Sequence, residues 1–333
     1  MEANNFIGWR VPWKAMLWGF AFAIVALIVV FVRLANPSEI MIELQEYPVL
    51  FFFLALFAVF LSWGVDGYRM RLLTCAAGVP VSWSALTFTL IAANFLTLIT
   101  PFAAGGAPLV VYLLFRRGMS VAQATAVVIG GGFAAQLGLF TLATLVLHSM
   151  VEIPSDVSAF LGYVRVCFFI YGIALLALVV IVFQGKRIQL LFGKRKLAAE
   201  WIVDFQATFR ALFARQGRYF LGALVTGFVY YAVYYSAGFF LLTGFDVSRS
   251  SVVLRYGVSV LLGIAPLVSP IPGGAGAAEL VAYYVLEQTL PTDELATFIV
   301  LWRSAVFYLP IIIGGLVFTF LVLRWAHQRR NEA

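Results

Sequence analysis

The stretch Pro270-Ile271-Pro272-Gly273-Gly274-Ala275-Gly276-Ala277-Ala278-Glu279 carries the strongest local chemical signal in the chain. Proline removes a backbone donor and ends a preceding helix, while glycine opens conformations closed to other residues. A helix restarting near residues 274–276 would present free N–H groups and the positive end of its dipole, an anion site suited to phosphate. Glu279 falls in the first turn of such a helix, where a carboxylate also gains from the dipole. A related stretch, Pro101-Phe102-Ala103-Ala104-Gly105-Gly106-Ala107-Pro108, offers a second helix start. The competing reading is a pair of tight turns that pack small residues against neighbouring helices.

Arg303 lies inside an apolar run. A central arginine costs about 2.5–3.5 kcal/mol on insertion scales, so it should be paired or wet. Glu279 is the natural partner, as a structural ion pair; a lipid phosphate gripped bidentately is the functional alternative. Asp66, with Arg69 and Arg71, marks the expected inner end of another apolar run, where a local salt bridge is the default. Asn94 and Gln136 are polar residues within apolar runs, fit to line a path or to bond between helices. Cys75 and Cys167 lie far apart, and His148 and His327 are isolated, so neither a metal nor a cofactor is expected. No phosphate-binding loop of the nucleotide-hydrolase type and no nucleophile–base pair is visible, and the chain does not read as an enzyme.

The elements that must position these residues follow from composition. Of 333 residues, 63% are hydrophobic and 11% charged, with a mean hydropathy of +0.99. A soluble domain is roughly 45–50% apolar and about 25% charged. Soluble enzymes, disordered chains and disulfide scaffolds are therefore excluded, and the pattern is that of an all-α polytopic membrane protein. The net charge of +7 does not indicate nucleic acid, because Lys and Arg collect in particular loops, as on the cytoplasmic side of membrane proteins.

Apolar segments run about 13–35, 48–66, 83–100, 119–148, 159–183, 219–242, 252–269 and 295–323. The first reads as an anchor, too long for a signal h-region of about 7–15 residues. Two shorter pieces, 108–115 and 277–290, follow the third and seventh segments after Pro/Gly breaks. At 1.5 Å per residue the piece 108–115 covers about 12 Å and cannot recross the bilayer. The economical topology has six full spans plus two re-entrant hairpins, with both termini cytoplasmic. Eight basic residues in 184–218 support it, as do the acidic loops at Glu39, Glu43 and Glu46 and at Asp293 and Glu294. Within 184–218, Leu197, Trp201, Phe205, Phe209 and Leu212 recur at helical spacing, giving an amphipathic linker at the cytoplasmic interface.

The chain reads as one transmembrane domain, residues 1–333, in two halves of about 1–150 and 159–333. Each half holds two spans, a hairpin and one span, in opposite orientation. Thr100-Pro101 before Gly105-Gly106 echoes Ser269-Pro270 before Gly273-Gly274. Inverted repeats with interrupted helices are characteristic of transporters, with the binding site near the midplane between halves.

Several of these residues coincide with a known pattern. Trp63-x-x-Asp66-x-x-Arg69, Asn94-Phe95, Thr100-Pro101 with Gly105-Gly106-Ala107-Pro108, and Arg117-Gly118 resemble the lysylphosphatidylglycerol synthase transmembrane region, also called the flippase-like family. The Pro270–Glu279 block and Arg303 with Tyr308, Pro310 and Gly314 complete the resemblance over about residues 50–320. It implies the membrane domain that, in multiple peptide resistance factor, moves aminoacylated phosphatidylglycerol between leaflets. Ala333 ends the sequence without an aminoacyl-transferase domain, so lipid aminoacylation is not expected. Family members often carry a charge shortly after the first turn; Leu109, Val110 and Val111 are apolar.

The resulting expectation is a lipid flippase or scramblase of an inner (plasma) membrane. Its substrate would be a membrane phospholipid or polyprenyl-phosphate lipid, held by Gly105, Gly106, Gly273, Gly274, Gly276, Glu279 and Arg303. Asp66, Arg69, Asn94, Pro101, Pro270 and Pro272 take supporting places. The alternatives are an enzyme or enzyme subunit acting on lipid-linked sugars, and a noncatalytic scaffold. A separate lipid-modifying enzyme and homo-oligomerisation both remain open.

Overall fold

A computed structural model describes residues 37–100, 105–149, 196–214, 217–245, 251–264, 274, 277–287 and 290–332, with scattered positions between 162 and 177. Among these residues the chain is helical, without strands. The helices are α1 (Pro37–Glu46), α2 (Val49–Ala76), α3 (Trp83–Ile99), α4 (Gly106–Arg116), α5 (Val121–Ser149) and α6 (Lys196–Ala214). They continue with α7 (Gly217–Thr243), α8 (Val252–Ile264), α9 (Ala277–Leu286), α10 (Thr292–Arg303) and α11 (Leu309–Glu332). A π-helical turn, Ser304–Tyr308, joins α10 to α11.

Four stretches are long and apolar enough to cross a membrane: Val49–Ala76, Val121–Val146, Gly217–Thr243 and Thr292–Trp325. They correspond to four of the six expected spans. Segment 13–35 lies outside the described residues, and only scattered, helical positions of 159–183 are described. The protein is an all-α polytopic membrane protein.

The expected hairpin segments are short helices. With 17 residues in α3 and 11 in α4, they extend about 25 Å and 16 Å. The second is too short to cross a hydrocarbon core of about 30 Å. In the other half α8 has 13 residues and α9 has 10. The helix α9 stops at Leu286, short of the expected residue 290.

Three readings need correction. Residues 37–46, expected as an outer loop, form α1, which packs against α10. Asp66 and Arg69 do not end the second span, because α2 continues for a further turn and more to Ala76. Their mutual pairing at i,i+3 neutralises both charges, so the helix need not stop at them. The last span is not one regular helix, since the π turn interrupts it directly after Arg303.

Local chemistry explains the helix ends. After α2 the Gly78 and Val79 amides donate to the Cys75 and Thr74 carbonyls, and after α4 Gly118 and Met119 repeat the arrangement on Phe115 and Leu114. Gly78 and Gly118 take the positive φ that this cap demands. At the start of α5, Ser120 and Gln123 bond reciprocally, side chain to backbone, as a capping box.

The helices of the two halves interlock. Helix α7 runs along α2 and α5, and α11 lies on α3. Where α5 crosses α7, a Cβ on Gly227 would come within 2.8 Å of the Ala134 carbonyl oxygen. Small residues therefore set the closeness of this crossing, as van der Waals packing in membranes requires. The linker helix α6 buries Phe205, Phe209 and Leu212 and packs on α5. Trp201 at its other end is exposed and stacks on Phe205 at 5.3 Å.

Candidate functional site

Two buried ion pairs, one from each half, organise the candidate site. The first is built within α2. Arg69 Nη2 lies 2.6 Å from Asp66 Oδ1, and Arg69 Nε donates to the same oxygen at 2.8 Å. Arg69 Nη1 donates to the Gly131 carbonyl oxygen of α5. A Cβ on Gly131 would stand 2.8 Å from Met70 Sδ and 3.2 Å from Arg69 Nη1, so the bare backbone lets the guanidinium approach. The Arg69 side chain is 7% exposed and that of Asp66 17%, so the acid remains reachable from outside the core.

This pair faces a cavity of about 230 Å³ that Asn94, Thr97, Gly106 and Tyr230 also line. Ligand pockets for drug-sized molecules run roughly 300–1,000 Å³. The space therefore suits a headgroup, with acyl chains left outside. Arginine has five N–H donors, and the bonds to Asp66 and Gly131 engage three of them. Asp66 accepts from Arg69 through Oδ1 alone, leaving Oδ2 as a further acceptor. The residues around the cavity thus carry arginine donors, a carboxylate, an amide and a tyrosine hydroxyl, while the Thr97 hydroxyl donates to the Ala93 carbonyl at 2.9 Å.

The second pair joins α9 to the end of α10. Arg303 Nε lies 2.7 Å from Glu279 Oε1, and Arg303 Nη2 donates to Glu279 Oε2 at 2.7 Å. Both side chains are almost fully buried, at 3% and 6% exposure. Arg303 Nη2 also donates to the Gly274 carbonyl oxygen at 3.2 Å, and Gly274 adopts a φ of +64°. The Trp302 and Phe307 rings flank the guanidinium at 5.2 Å and 5.4 Å, a cation–π setting that favours a desolvated arginine. Arg303 stands about 16 Å along its helix from Thr292. The π turn that follows is a distortion often found at functional sites.

The fold therefore gathers Gly274, Glu279 and Arg303 into one cluster, and Asp66, Arg69, Asn94 and Gly106 into another. Pro101, Pro270, Pro272, Gly273 and Gly276 lie outside the described residues. The first glycine turn is occupied by packing. The Gly105 amide donates to Thr100 Oγ1 at 2.9 Å, and that hydroxyl donates back to the Leu96 carbonyl at 2.6 Å. A Cβ on Gly106 would stand 2.7 Å from the Ala93 carbonyl oxygen. Gly106 thus allows α4 to close on α3 and still borders the cavity.

Sequence reasoning missed Tyr230, Thr97 and the Gly131 carbonyl. A signal existed for the first: Tyr230, Tyr231, Tyr234 and Tyr235 recur at i,i+4 in α7, which places two tyrosine columns along it.

These features define a polytopic helical membrane protein with two buried ion pairs among its described helices. The chain belongs to the family described as the lysylphosphatidylglycerol synthase TM region, whose profile matches residues 16–314. It is also similar to a protein of Archaeoglobus fulgidus described as a UPF0104 membrane protein. The two are 23% identical over 286 residues, covering 79% of this chain and 84% of the relative.

Proposed function

We propose that the protein moves a phosphate-bearing lipid between the leaflets of an inner (plasma) membrane, with both chain termini in the cytoplasm. The observation that carries this reading is the cavity beside the Asp66–Arg69 pair, which combines charge, polar side chains and headgroup size. Ionisable residues within membrane spans mark substrate paths by default. Pro/Gly stretches at matched places in the two halves of the sequence fit a transporter whose site lies near the midplane. The lipid phosphate takes the two N–H donors of Arg69 that its internal bonds leave over. Asn94 and Tyr230 replace the water lost by the rest of the headgroup. The acyl chains stay in the bilayer while the headgroup crosses. At the far pair, Glu279 holds Arg303 between encounters, and a phosphate competes for it.

The test is leaflet exchange of fluorescent phosphatidylglycerol, or of a short polyprenyl phosphate, in proteoliposomes of purified protein. Wild type should accelerate exchange of at least one of them. Asp66→Asn and Arg69→Gln should each slow it. Exchange no faster than in protein-free vesicles, for both lipids, would overturn the proposal.

A further inference from the structure

Four tyrosines in described parts of the chain fall into two groups by what their hydroxyls do. Tyr47 donates to the Leu241 carbonyl at 2.9 Å, and Tyr256 donates to the Ala232 carbonyl at 2.8 Å. That is the usual arrangement, in which a buried tyrosine satisfies its polar end on a fixed partner. The hydroxyls of Tyr230 and Tyr234 have no hydrogen-bond partner among the described residues, yet neither is a sealed, orphaned polar atom. Phenylalanine would serve packing equally well at both positions, and the chain uses it freely elsewhere in α7 at Phe220, Phe228, Phe239 and Phe240.

Their placement is specific. Tyr230 lines the cavity with Asp66 and Arg69. Its ring stacks on that of Tyr234 at 6.0 Å and 16°, so the two side chains run the same way, one helical turn apart. Tyr234 packs against the core cluster that contains Trp302 and Ala305, the residues just before and two after Arg303. Helix α7 touches α2, which carries the first ion pair, and α10, which carries Arg303.

We infer that Tyr230 and Tyr234 form a hydroxyl track along α7 that hands a phosphate-bearing lipid headgroup from the Asp66–Arg69 cavity to the Glu279–Arg303 pair. The inference rests on the translocation reading above and adds the route. A phosphate leaving Arg69 without a donor in reach would lose hydrogen bonds in a medium that cannot replace them. The four residues from Tyr230 to Tyr234 advance about 6 Å along the helix, so successive tyrosine hydroxyls bridge the gap by short steps. Each ring presents an apolar body to the acyl chains and a donor to the headgroup.

The experiment compares Tyr230→Phe, Tyr234→Phe and the double variant with wild type. Leaflet exchange is measured with fluorescent phosphatidylglycerol and with a short polyprenyl phosphate, and thermal unfolding is measured on the same preparations. Phenylalanine keeps the ring stack and removes only the hydroxyl. Losing one hydrogen bond to a charged group should slow exchange about ten- to a hundredfold, with the unfolding midpoint unchanged. Tyr256→Phe is the control: it should lower the unfolding midpoint through its lost carbonyl bond and leave the exchange rate of folded protein intact. Wild-type exchange rates in the double variant, alongside active wild type, would overturn the track while leaving translocation standing. Absence of exchange by wild type would remove both.

Discussion

The Glu279–Arg303 pair makes a prediction whose size follows from its burial. Both carboxylate oxygens are engaged by the guanidinium, and aromatic rings flank the arginine. Truncating one partner of a buried pair leaves an uncompensated charge and costs about 3–5 kcal/mol. Arg303→Met and Glu279→Leu should therefore each destabilise the protein strongly. At roughly 2–4 °C per kcal/mol for a domain of 150–250 residues, the unfolding midpoint should fall on the order of 10 °C. The double variant removes both charges and replaces them with apolar volume, which is often neutral or stabilising. It still leaves the Gly274 carbonyl without the Arg303 donor, and an unsatisfied buried acceptor costs about 1–3 kcal/mol. The double variant should thus sit closer to wild type than either single one, with a coupling energy of about 2 kcal/mol or more. Tryptophan fluorescence during thermal unfolding in detergent suits the measurement, because Trp302 adjoins the pair. Additive losses in the double variant, or single losses below 1 kcal/mol, would refute the reasoning that this pair is a buried, mutually dependent unit.

Other outcomes follow from separate parts of the fold. Gly106→Val should destabilise by about 1–3 kcal/mol through overpacking against the Ala93 carbonyl, read as a lowered unfolding midpoint. Gly131→Ala should push Arg69 off its carbonyl anchor and slow leaflet exchange more than it lowers stability. Tyr47→Phe should cost about 0.5–1.5 kcal/mol, because the bond to the Leu241 carbonyl ties the end of α1 to α7. At Glu43, burial and the carboxylates of Asp293 and Glu46 hold the carboxyl above its ordinary range. The folded state therefore favours the protonated form, and this stabilisation is complete below the ordinary carboxylate value and lost as pH rises through the raised one. Hydrogen exchange of residues 37–46 should slow relative to Glu43→Gln as pH falls through that window.

Much of this arrangement could be read from residue types alone, because the membrane makes buried polar groups expensive. A central Arg303 needs an acid, and Glu279 is the acid that the neighbouring helix start supplies. In the first half α3 ends at Ile99 and α4 starts at Gly106, on either side of the expected Pro/Gly stretch. Other features escape because they depend on pairing that sequence order does not display. Asp66 and Arg69 look like the end of a span until each is seen to neutralise the other. Thr100 closes the first turn with a side-chain hydroxyl, turning an apparent anion site at Gly105 into a packed corner. The π turn leaves no mark in composition, and Tyr230 is hidden among 32 Phe and 14 Tyr until a cavity singles it out. The acidic segment 37–46 reads as a loop, and its contact with α10 is what gives the helix a partner.

The central claim is that the cavity beside Asp66 and Arg69 receives a lipid phosphate. An experimental density map of the protein in nanodiscs containing phosphatidylglycerol tests it most directly. The account predicts phosphate density within hydrogen-bond reach of the Arg69 guanidinium, bordered by Asn94, Thr97 and Tyr230. A cavity filled by an acyl chain, with all headgroups held at the membrane surface, would contradict it.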